Sequence, residues 1–592
     1  MSLYNLWLLA TVWGLAGHIA MSSQSLAQDP QAPPLTPQDQ RFLSRVARRT
    51  YDQFVNQGAV YATDYIPTAL QDVKGYVLVT LYTDNHRLGK GTSGPGGIVR
   101  TTIEATLAAF QLDGHDVVER PKESSNVLIE IEAIGPEIRV EVKDQWMQPG
   151  VIERFLELGV DGFTLRCGDR ARRVCPSELI NKNLTMSDTL KTMAQAVGGS
   201  PQSLTLWRFR TKHWYQSGPG RHIVPLHRGL TIVTPDQVTL AAVNRAIDTI
   251  TEQLLHRQRA SGLFAYEYEP AAGAYSSRDN PVHQAGAAWA LAATAATSQR
   301  QTVHDAAARA IETQQAAMRP LPGVESAACV TSQDQRNKLG LTAQVLLAMA
   351  AHPRHERFQE DRARLASAIL WLQKPTGQFV TAFPPARRLS GFGVYPSLAL
   401  LALLEQYRSQ PDQRILQAFN KAHAFYTSAD DQPSTAAAAW LIQPFARMAV
   451  VSNRKEFARF AYRLADRLIE HQLDPRNCQY PELYGSVRLL PASVPDINTA
   501  VCLSAWLDAL QAARRFGHTD RAAKYLGAAE GAARFTLQLQ IRKAEVYYMR
   551  LDRDTVGGVR TSVADNRIRL ENLQYALLAL IKYRDMVLRP NG

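Results

Sequence analysis

Gln258-Arg-Ala-Ser-Gly-Leu-Phe264 and Gln373-Lys-Pro-Thr-Gly-Gln-Phe379 are two copies of one phrase, and His471-Gln-Leu-Asp-Pro475 is a looser third. Each copy ends an amphipathic stretch and leads through a loop into a stretch almost free of charge. The amphipathic stretches are 237–256, 302–315, 357–372 and 456–472. The charge-poor ones are 285–297, 339–351, 396–404, 435–445 and 499–510, and the last, 570–582, has a continuous apolar face. A helix apolar on all sides is buried, whereas one with a polar face meets solvent. About six such hairpins of roughly 40–70 residues each read as a repeat architecture. Set in a ring, with the buried helices inside and the amphipathic ones outside, they form an all-α (α/α)6 toroid spanning 235–592. Such a ring closes on itself, so no repeat is left uncapped.

Upstream the pattern differs. Residues 40–215 combine a helical stretch at 42–55 with alternating strands at 76–81 and 126–131 and further strands at 163–166 and 204–209, which predicts an α+β domain. The sequence therefore reads as multidomain, an α+β unit followed by the toroid. Residues 28–39 (Pro- and Gln-rich) and 216–234 (opening Gln216-Ser-Gly-Pro-Gly-Arg221) serve as linkers. Residues 1–27 read as an export signal: 6–19 is mostly apolar and Ser25-Leu26-Ala27 is a small-x-small cleavage pattern. No Lys or Arg precedes the apolar run, and a short membrane anchor is the alternative. The expected location is periplasm, cell surface or the secreted fraction.

The 592 residues carry 66 Lys+Arg against 54 Asp+Glu, a net charge of +12 scattered along the chain, which gives no nucleic-acid stripe. A hydrophobic content of 45% with 20% charged residues excludes wholesale disorder. Five cysteines, at 167, 175, 329, 478 and 502, are too few for a disulfide framework, although Cys167 and Cys175 lie close enough in sequence to pair across a hairpin.

In a ring of this kind the loops entering the inner helices gather at one mouth, beside unpaired backbone N–H groups. The entry to the first inner helix holds Tyr266-Glu-Tyr268 and then Ser276-Ser-Arg-Asp-Asn-Pro-Val-His-Gln284. Aromatic rings suit the apolar face of a sugar, and Asp279, Asn280, His283 and Gln284 suit its hydroxyls, although Asp279 or Asn280 is equally an N-cap. The fifth entry holds Tyr480-Pro-Glu-Leu-Tyr484, Asp496 and Asn498; the sixth holds Arg567, Arg569 and Glu571. Arginines there suit a sugar carboxylate, the alternative being an ion pair. Tyr395 and Asn337 enter the third and second inner helices. Asp279, Asp496 and Glu571 are the candidate catalytic carboxylates. Tyr266, Tyr268, Asn280, His283, Tyr395, Tyr484, Asn498, Arg567 and Arg569 are the candidate substrate contacts. Epimerisation would instead draw on Tyr266, Tyr484 and Glu482 as acid and base.

Other chemistries lack their motifs. There is no Asp-x-Asp-Asp for protonation-driven cyclisation, no His-Glu-x-x-His and no zinc-spaced Cys/His cluster. No phosphate-binding glycine loop or dinucleotide fingerprint occurs, and no metal or cofactor is implied.

Residues 40–215 resemble the AMMECR family in the order of Val77-Leu-Val-Thr-Leu81, 125–135 (SNVLIEIEAIG), Leu158-Gly-Val-Asp-Gly-Phe-Thr-Leu165, Gly168-Asp-Arg170, Val174-Cys-Pro-Ser-Glu-Leu-Ile180 and Trp207-Arg-Phe-Arg210. That resemblance implies a fold. The family's Leu-Arg-Gly-Cys-Ile-Gly motif is replaced by Gly97-Ile-Val-Arg-Thr-Thr102, so no activity is carried over. Residues 235–592 resemble six-hairpin glycosidase-type toroids, a group that includes uronyl hydrolases and sugar epimerases, in architecture and not by a catalytic motif. Together these imply an exported protein that binds and modifies an acidic poly- or oligosaccharide by hydrolysis or epimerisation. The alternative is a non-catalytic scaffold with a protein partner in an envelope complex.

Overall fold

The alternating strands pair into one antiparallel sheet in the order β2-β1-β4-β8-β6-β7. These are β1 (Lys74–Thr83), β2 (His86–Thr92), β4 (Leu128–Ile134), β6 (Asp161–Cys167), β7 (Arg170–Val174) and the long β8 (Thr205–Gln216); short β3 (Gly96–Gly97), β5 (Ile138–Val140) and β9 (Val224–Pro225) flank it. Side chains alternate across the pleat. Val77, Val79 and Leu81 join Ile129 and Ile131 under α1 (Pro37–Gln57) and α3 (Ile98–Ala108), behind the short α2 (Thr68–Gln71). Helices α4 (Pro176–Asn181) and α5 (Met186–Val197) lie at the β6–β7 end. The computed structural model describes residues 29–63, 65–84, 86–110, 121–141, 146, 150–198, 203–332, 338–384, 393–428, 433–490, 493–549 and 553–589. The signal-like segment and Asn337 lie outside them.

The helical part is a two-layer ring. Its inner helices are α7 (Pro281–Ala295), α9 (Leu339–Ala351), α11 (Val394–Ser409), α13 (Thr435–Ser452), α15 (Asn498–Arg515) and α17 (Leu570–Tyr583). Each packs on the next and α17 packs back on α7, which closes the circle. The outer layer is α6 (Leu240–Arg257), α8 (Gln301–Ala316), α10 (Gln359–Trp371), α12 (Gln413–Ser428), α14 (Lys455–Ile469) and α16 (Thr519–Gln538). Inner helices are buried nearly all round, as their lack of charge requires. No described helix is long and apolar enough to cross a membrane.

The repeated phrase has a mechanical role. Gln258, Gln373, Gln472 and Gln540 each follow an outer helix, and each Nε2 donates both to its own loop and to another outer helix. Gln258 reaches the carbonyls of Gly262 (3.3 Å) and Ala306 of α8 (2.9 Å). Gln373 reaches Gly377 (3.2 Å) and Ala418 of α12 (2.8 Å). Gln472 reaches Gly485 (3.0 Å) and Ala528 of α16 (2.9 Å), and Gln540 reaches Gly557 (3.4 Å) and Ala246 of α6 (3.3 Å). Each amide thus staples its own loop to the next outer helix around the ring, and the last, after α16, reaches α6, the first outer helix. The glycines sit at φ +83°, +93°, +83° and +82°, in the left-handed region.

Gly377→Ala should therefore cost about 2–4 kcal/mol, combining left-handed strain with overpacking, because its Cβ would stand 2.1 Å from the Lys421 carbonyl oxygen. Gly323→Ala, at φ +77° with open space around it, should lose only the strain, about 1–2 kcal/mol. Urea midpoints compare the two, and equal losses would remove the staple's steric part.

The sheet is seated on the ring through the loops ahead of α15 and α17. Tyr82 and Tyr215 on its second face pack around Tyr547, each at a ring-centroid distance of 5.1 Å. Arg228 bonds Glu482 (Nε–Oε1 2.9 Å) and also Glu157, which accepts from the Tyr480 hydroxyl at 2.6 Å. The Asn566 amide donates to the Ile180 carbonyl (2.9 Å), and Asn566 N–H donates to Asn183 Oδ1 (3.0 Å). Cys167 and Cys175 are free thiols and do not pair.

Candidate functional site

Two loops converge at the mouth because a small sheet ties them. Its order is β11-β10-β15-β14, with β10 (Glu267–Glu269), β11 (Ala274–Tyr275), β14 (Arg560–Ser562) and β15 (Asp565–Arg569); a separate hairpin, β12 (Met318–Leu321) with β13 (Val324–Val330), precedes α9. β10 pairs with β15 in the register Glu267↔Arg569, and Leu570 N–H donates to the Tyr266 carbonyl (3.1 Å). That register brings Tyr266, from the loop before α7, to Glu571, in the first turn of α17. The Tyr266 hydroxyl donates to Glu571 Oε1 at 3.0 Å. His283, in the first turn of α7, lies parallel to the Tyr266 ring (16°, centroids 6.1 Å apart) with Nε2 4.0 Å from Glu571 Oε2. Glu571 Oε2 and His283 Nδ1 are buried with no hydrogen-bond partner among the described residues. A buried polar atom left unpaired costs about 1–3 kcal/mol, so this cluster carries unused bonding capacity.

Asp496 stands at the entry of α15, where its carboxylate accepts from Asn498 N–H (2.9 Å) and from Asn498 Nδ2 (3.0 Å). Burial pushes this carboxyl above the usual carboxylate range, against the opposing pull of the Asn498 bonds. Tyr575 lies one turn along α17 from Glu571. Burial, then the charge of Glu571, then Tyr395 and Asp496 raise the Tyr575 phenol far above its ordinary value. Burial likewise raises Tyr395. Trp440 meets Tyr575 edge-on, centroids 5.5 Å apart.

Two glycines make space on the ring axis. A Cβ at Gly340 would stand 2.4 Å from the Tyr395 ring, and one at Gly286 would stand 1.9 Å from Gln574 Oε1 and 2.4 Å from Gln344 Oε1. Those two amide oxygens, and Gln574 Nε2, are also buried without partners among the described residues.

Several expected contacts are employed elsewhere. Asp279 is exposed, and its Oδ1 accepts from Gln284 Nε2 (2.7 Å) and Asn280 N–H (2.8 Å), which fastens the loop. Asn280 is the N-cap of α7, accepting from Val282 N–H at 3.1 Å. Tyr268 is 1% exposed and packs on Tyr275, so it is core and not a sugar platform. Arg567 is bound by Asp565 (2.8 Å) and Arg569 by Glu267 (2.7 Å), so the arginine cluster forms ion pairs. Glu482 is buried in its pair with Arg228, which removes it as an acid or base. Tyr484 is half-buried, and its carbonyl accepts from Arg534 (2.8 Å).

Gln344, Gln574, Tyr575 and Trp440 were not anticipated. Their signal was present in the helices rather than in the entries. Gln574 and Tyr575 follow Glu571 at i+3 and i+4, on one face, and Gln344 stands with Thr342 in the charge-free run of α9.

No family model matches the chain and no curated protein matches it. Solved structures align with parts of it. An unsaturated glucuronyl hydrolase specific for heparin is 13% identical over 58% of this chain and 98% of its own, with a TM-score of 0.44. A family 76 glycoside hydrolase from a bovine Bacteroides thetaiotaomicron strain is 8% identical over 77% of this chain and 96% of its own, with a TM-score of 0.43. An uncharacterized protein from Pyrococcus horikoshii is 20% identical over 32% of this chain and 96% of its own, with a TM-score of 0.28.

Proposed function

We propose that the ring mouth is the active site of a carbohydrate-active enzyme, with Asp496 and Glu571 as its working carboxylates. One observation carries this reading. Two carboxyls from successive inner-helix entries stand in unlike surroundings: Asp496 is held by Asn498 N–H at 2.9 Å, while Glu571 accepts from the Tyr266 hydroxyl at 3.0 Å and its Oε2 is buried with no hydrogen-bond partner among the described residues. Divergent environments are what separate an acid from a base. Asp496, whose carboxyl burial raises above its ordinary value, donates a proton to the leaving glycosidic oxygen. Glu571, steadied by Tyr266, takes the proton of the attacking water or attacks the anomeric carbon itself. Asp279 drops out of the catalytic set and keeps a loop-fastening role.

An acidic sugar would have to compete with Asp565 and Glu267 for Arg567 and Arg569, so charge selectivity is a matter for measurement. In this reading 40–215 is an AMMECR-like unit that walls the mouth beside α15 and α17, 235–592 is the catalytic toroid, and 1–27 directs export. The scaffold reading draws on a different observation, the seating of the sheet on those two entry loops.

Incubating the full chain with neutral and acidic glycans, in normal and heavy water, separates the cases. Hydrolysis adds the mass of water to the cleaved products, and epimerisation leaves mass unchanged in normal water and adds one deuterium at the inverted carbon in heavy water. Glycans unchanged in every case would remove the enzyme and leave the scaffold.

A further inference from the structure

Below the mouth the ring interior is hollow. A chamber of about 360 Å³ runs from Tyr575 and Trp440 down to the C-terminal ends of α13, α15 and α17, where Val451 is 43% exposed at its rim. That volume falls in the range of small-molecule sites, roughly 300–1,000 Å³. Its upper wall is aromatic, with Trp289, Trp440 and Tyr575. Its lower wall is polar and ionic. Arg447 bonds Glu405, Arg408 reaches the same carboxylate at 3.1 Å, and Lys582 pairs with Asp508 at 2.5 Å and donates to the Ser504 carbonyl at 3.2 Å.

The kind of ligand follows from the balance of these charges. Three cations face two carboxylates, and Arg408 and Lys582 lie in the last turns of α11 and α17, whose carbonyl ends carry partial negative charge. Each of the three cations is already paired with a carboxylate, so none is free to select an ion. An apolar guest would strip water from the ion pairs without replacing its bonds, which is costly. A ring-shaped polyol uses both walls, stacking its C–H face on the indoles and bonding its hydroxyls to the fixed charges and to Gln443, whose Nε2 donates to the Ala439 carbonyl at a long 3.4 Å.

We propose that this chamber is a second ligand site, separate from the mouth and opening at the opposite end of the ring, for a neutral sugar or small oligosaccharide. Its upper wall shares Tyr575 and Trp440 with the mouth, but Gln443 and the ionic wall that would bond the ligand belong to no part of the mouth cluster, so the site does not need the catalytic reading.

Isothermal titration calorimetry of the full chain with glucose, mannose, N-acetylglucosamine, maltose and cellobiose tests this, with sodium acetate and benzoate as anionic probes. At least one neutral sugar should bind. Trp289→Leu and Gln443→Leu should each weaken that binding tenfold or more, whereas Glu571→Gln in the mouth should leave the chamber isotherm in place. Circular dichroism confirms that the variants are folded, and with two variants on different helices a misfolded one leaves the other decisive. No binding by any neutral sugar, binding of the anions alone, or binding lost with Glu571→Gln and kept in both chamber variants would overturn the proposal. An inactive wild type that still binds sugar in the chamber would refute the catalytic reading and leave this one standing.

Discussion

Glu571→Gln and Asp496→Asn should each lower kcat/KM on the cleaved glycan by about 10²–10⁴-fold, the range for a positioned acid or base, while Asp279→Ala should stay within about threefold. The substitutions keep shape and remove only charge or proton. Glu571→Gln retains the bond from Tyr266 through its amide oxygen, so the loop before α7 stays in place. Asp496→Asn keeps a side chain of the same size beside Asn498. The two losses should not multiply in the double variant, because acid and base act in one transition state. Asp496 adds a signature in pH. Its carboxyl is raised above its ordinary value by burial, so activity falls as pH rises through that raised value. Asp496→Asn should remove that limb from the profile of kcat/KM. The same shift carries a stability consequence of opposite sense to an ion-paired carboxylate: ionising Asp496 costs folding energy, so its effect is a loss of stability as pH rises from the unfolded value to the folded one. A rate unaffected by both single variants on an active wild type would place the chemistry elsewhere.

The ring was legible because its period is written twice over, in the charge-free inner helices and in the Gln-x-x-x-Gly-x-Phe phrase. The phrase weakens at Gln472 and vanishes at Gln540 for one physical reason. The glutamine and glycine of the staple remain, but thirteen and seventeen residues separate Gln472 from Gly485 and Gln540 from Gly557. Those insertions carry Tyr480, Glu482, Glu545 and Tyr547, the groups that seat the sheet. Spacing arguments see a lost repeat where the molecule has kept the bond and lengthened the loop. The site was legible by position and not by partner. The entries did bring Tyr266, His283 and Glu571 together, yet nothing in the sequence tells that Arg569 will find Glu267 across β10 and β15, or that Glu482 will find Arg228 some 250 residues away. Charge pairing across the fold depends on register, which a one-dimensional pattern does not hold. Gln344 and Gln574 escaped notice because lone amides in apolar helices are read as tolerated exceptions, when here they face each other over Gly286.

Arg560→Met should destabilise the chain by about 3–5 kcal/mol, the cost of stranding one partner of a buried ion pair. Arg560 and Glu545 are 0% and 1% exposed at the side chain, with Nη1 3.2 Å from Oε2. Glu545 also accepts from the Thr231 hydroxyl (2.8 Å), and Arg560 Nε donates to Asn566 Oδ1 (2.8 Å). One node therefore ties the strand leaving the sheet to the loop that delivers α17. Removing Arg560 leaves the buried Glu545 with Arg542 as its paired cation and Thr231 as a neutral donor. The double variant Arg560→Met/Glu545→Leu should recover most of the loss, because a packed apolar pair needs no solvation. Burial alone would raise the Glu545 carboxyl, but Arg560 and Arg542 outweigh it and hold it below the usual range. A depressed carboxylate contributes stability that is present above the unfolded value and lost as pH falls through the folded one. Urea midpoints at pH 7 and in acid should therefore fall further for the wild type than for the double variant. The same node stands behind Glu571, so the single variant should also lose activity at temperatures below its unfolding midpoint. If Arg560→Met lowers neither midpoint nor rate, the seating of the sheet on the α17 loop has no hold over the mouth.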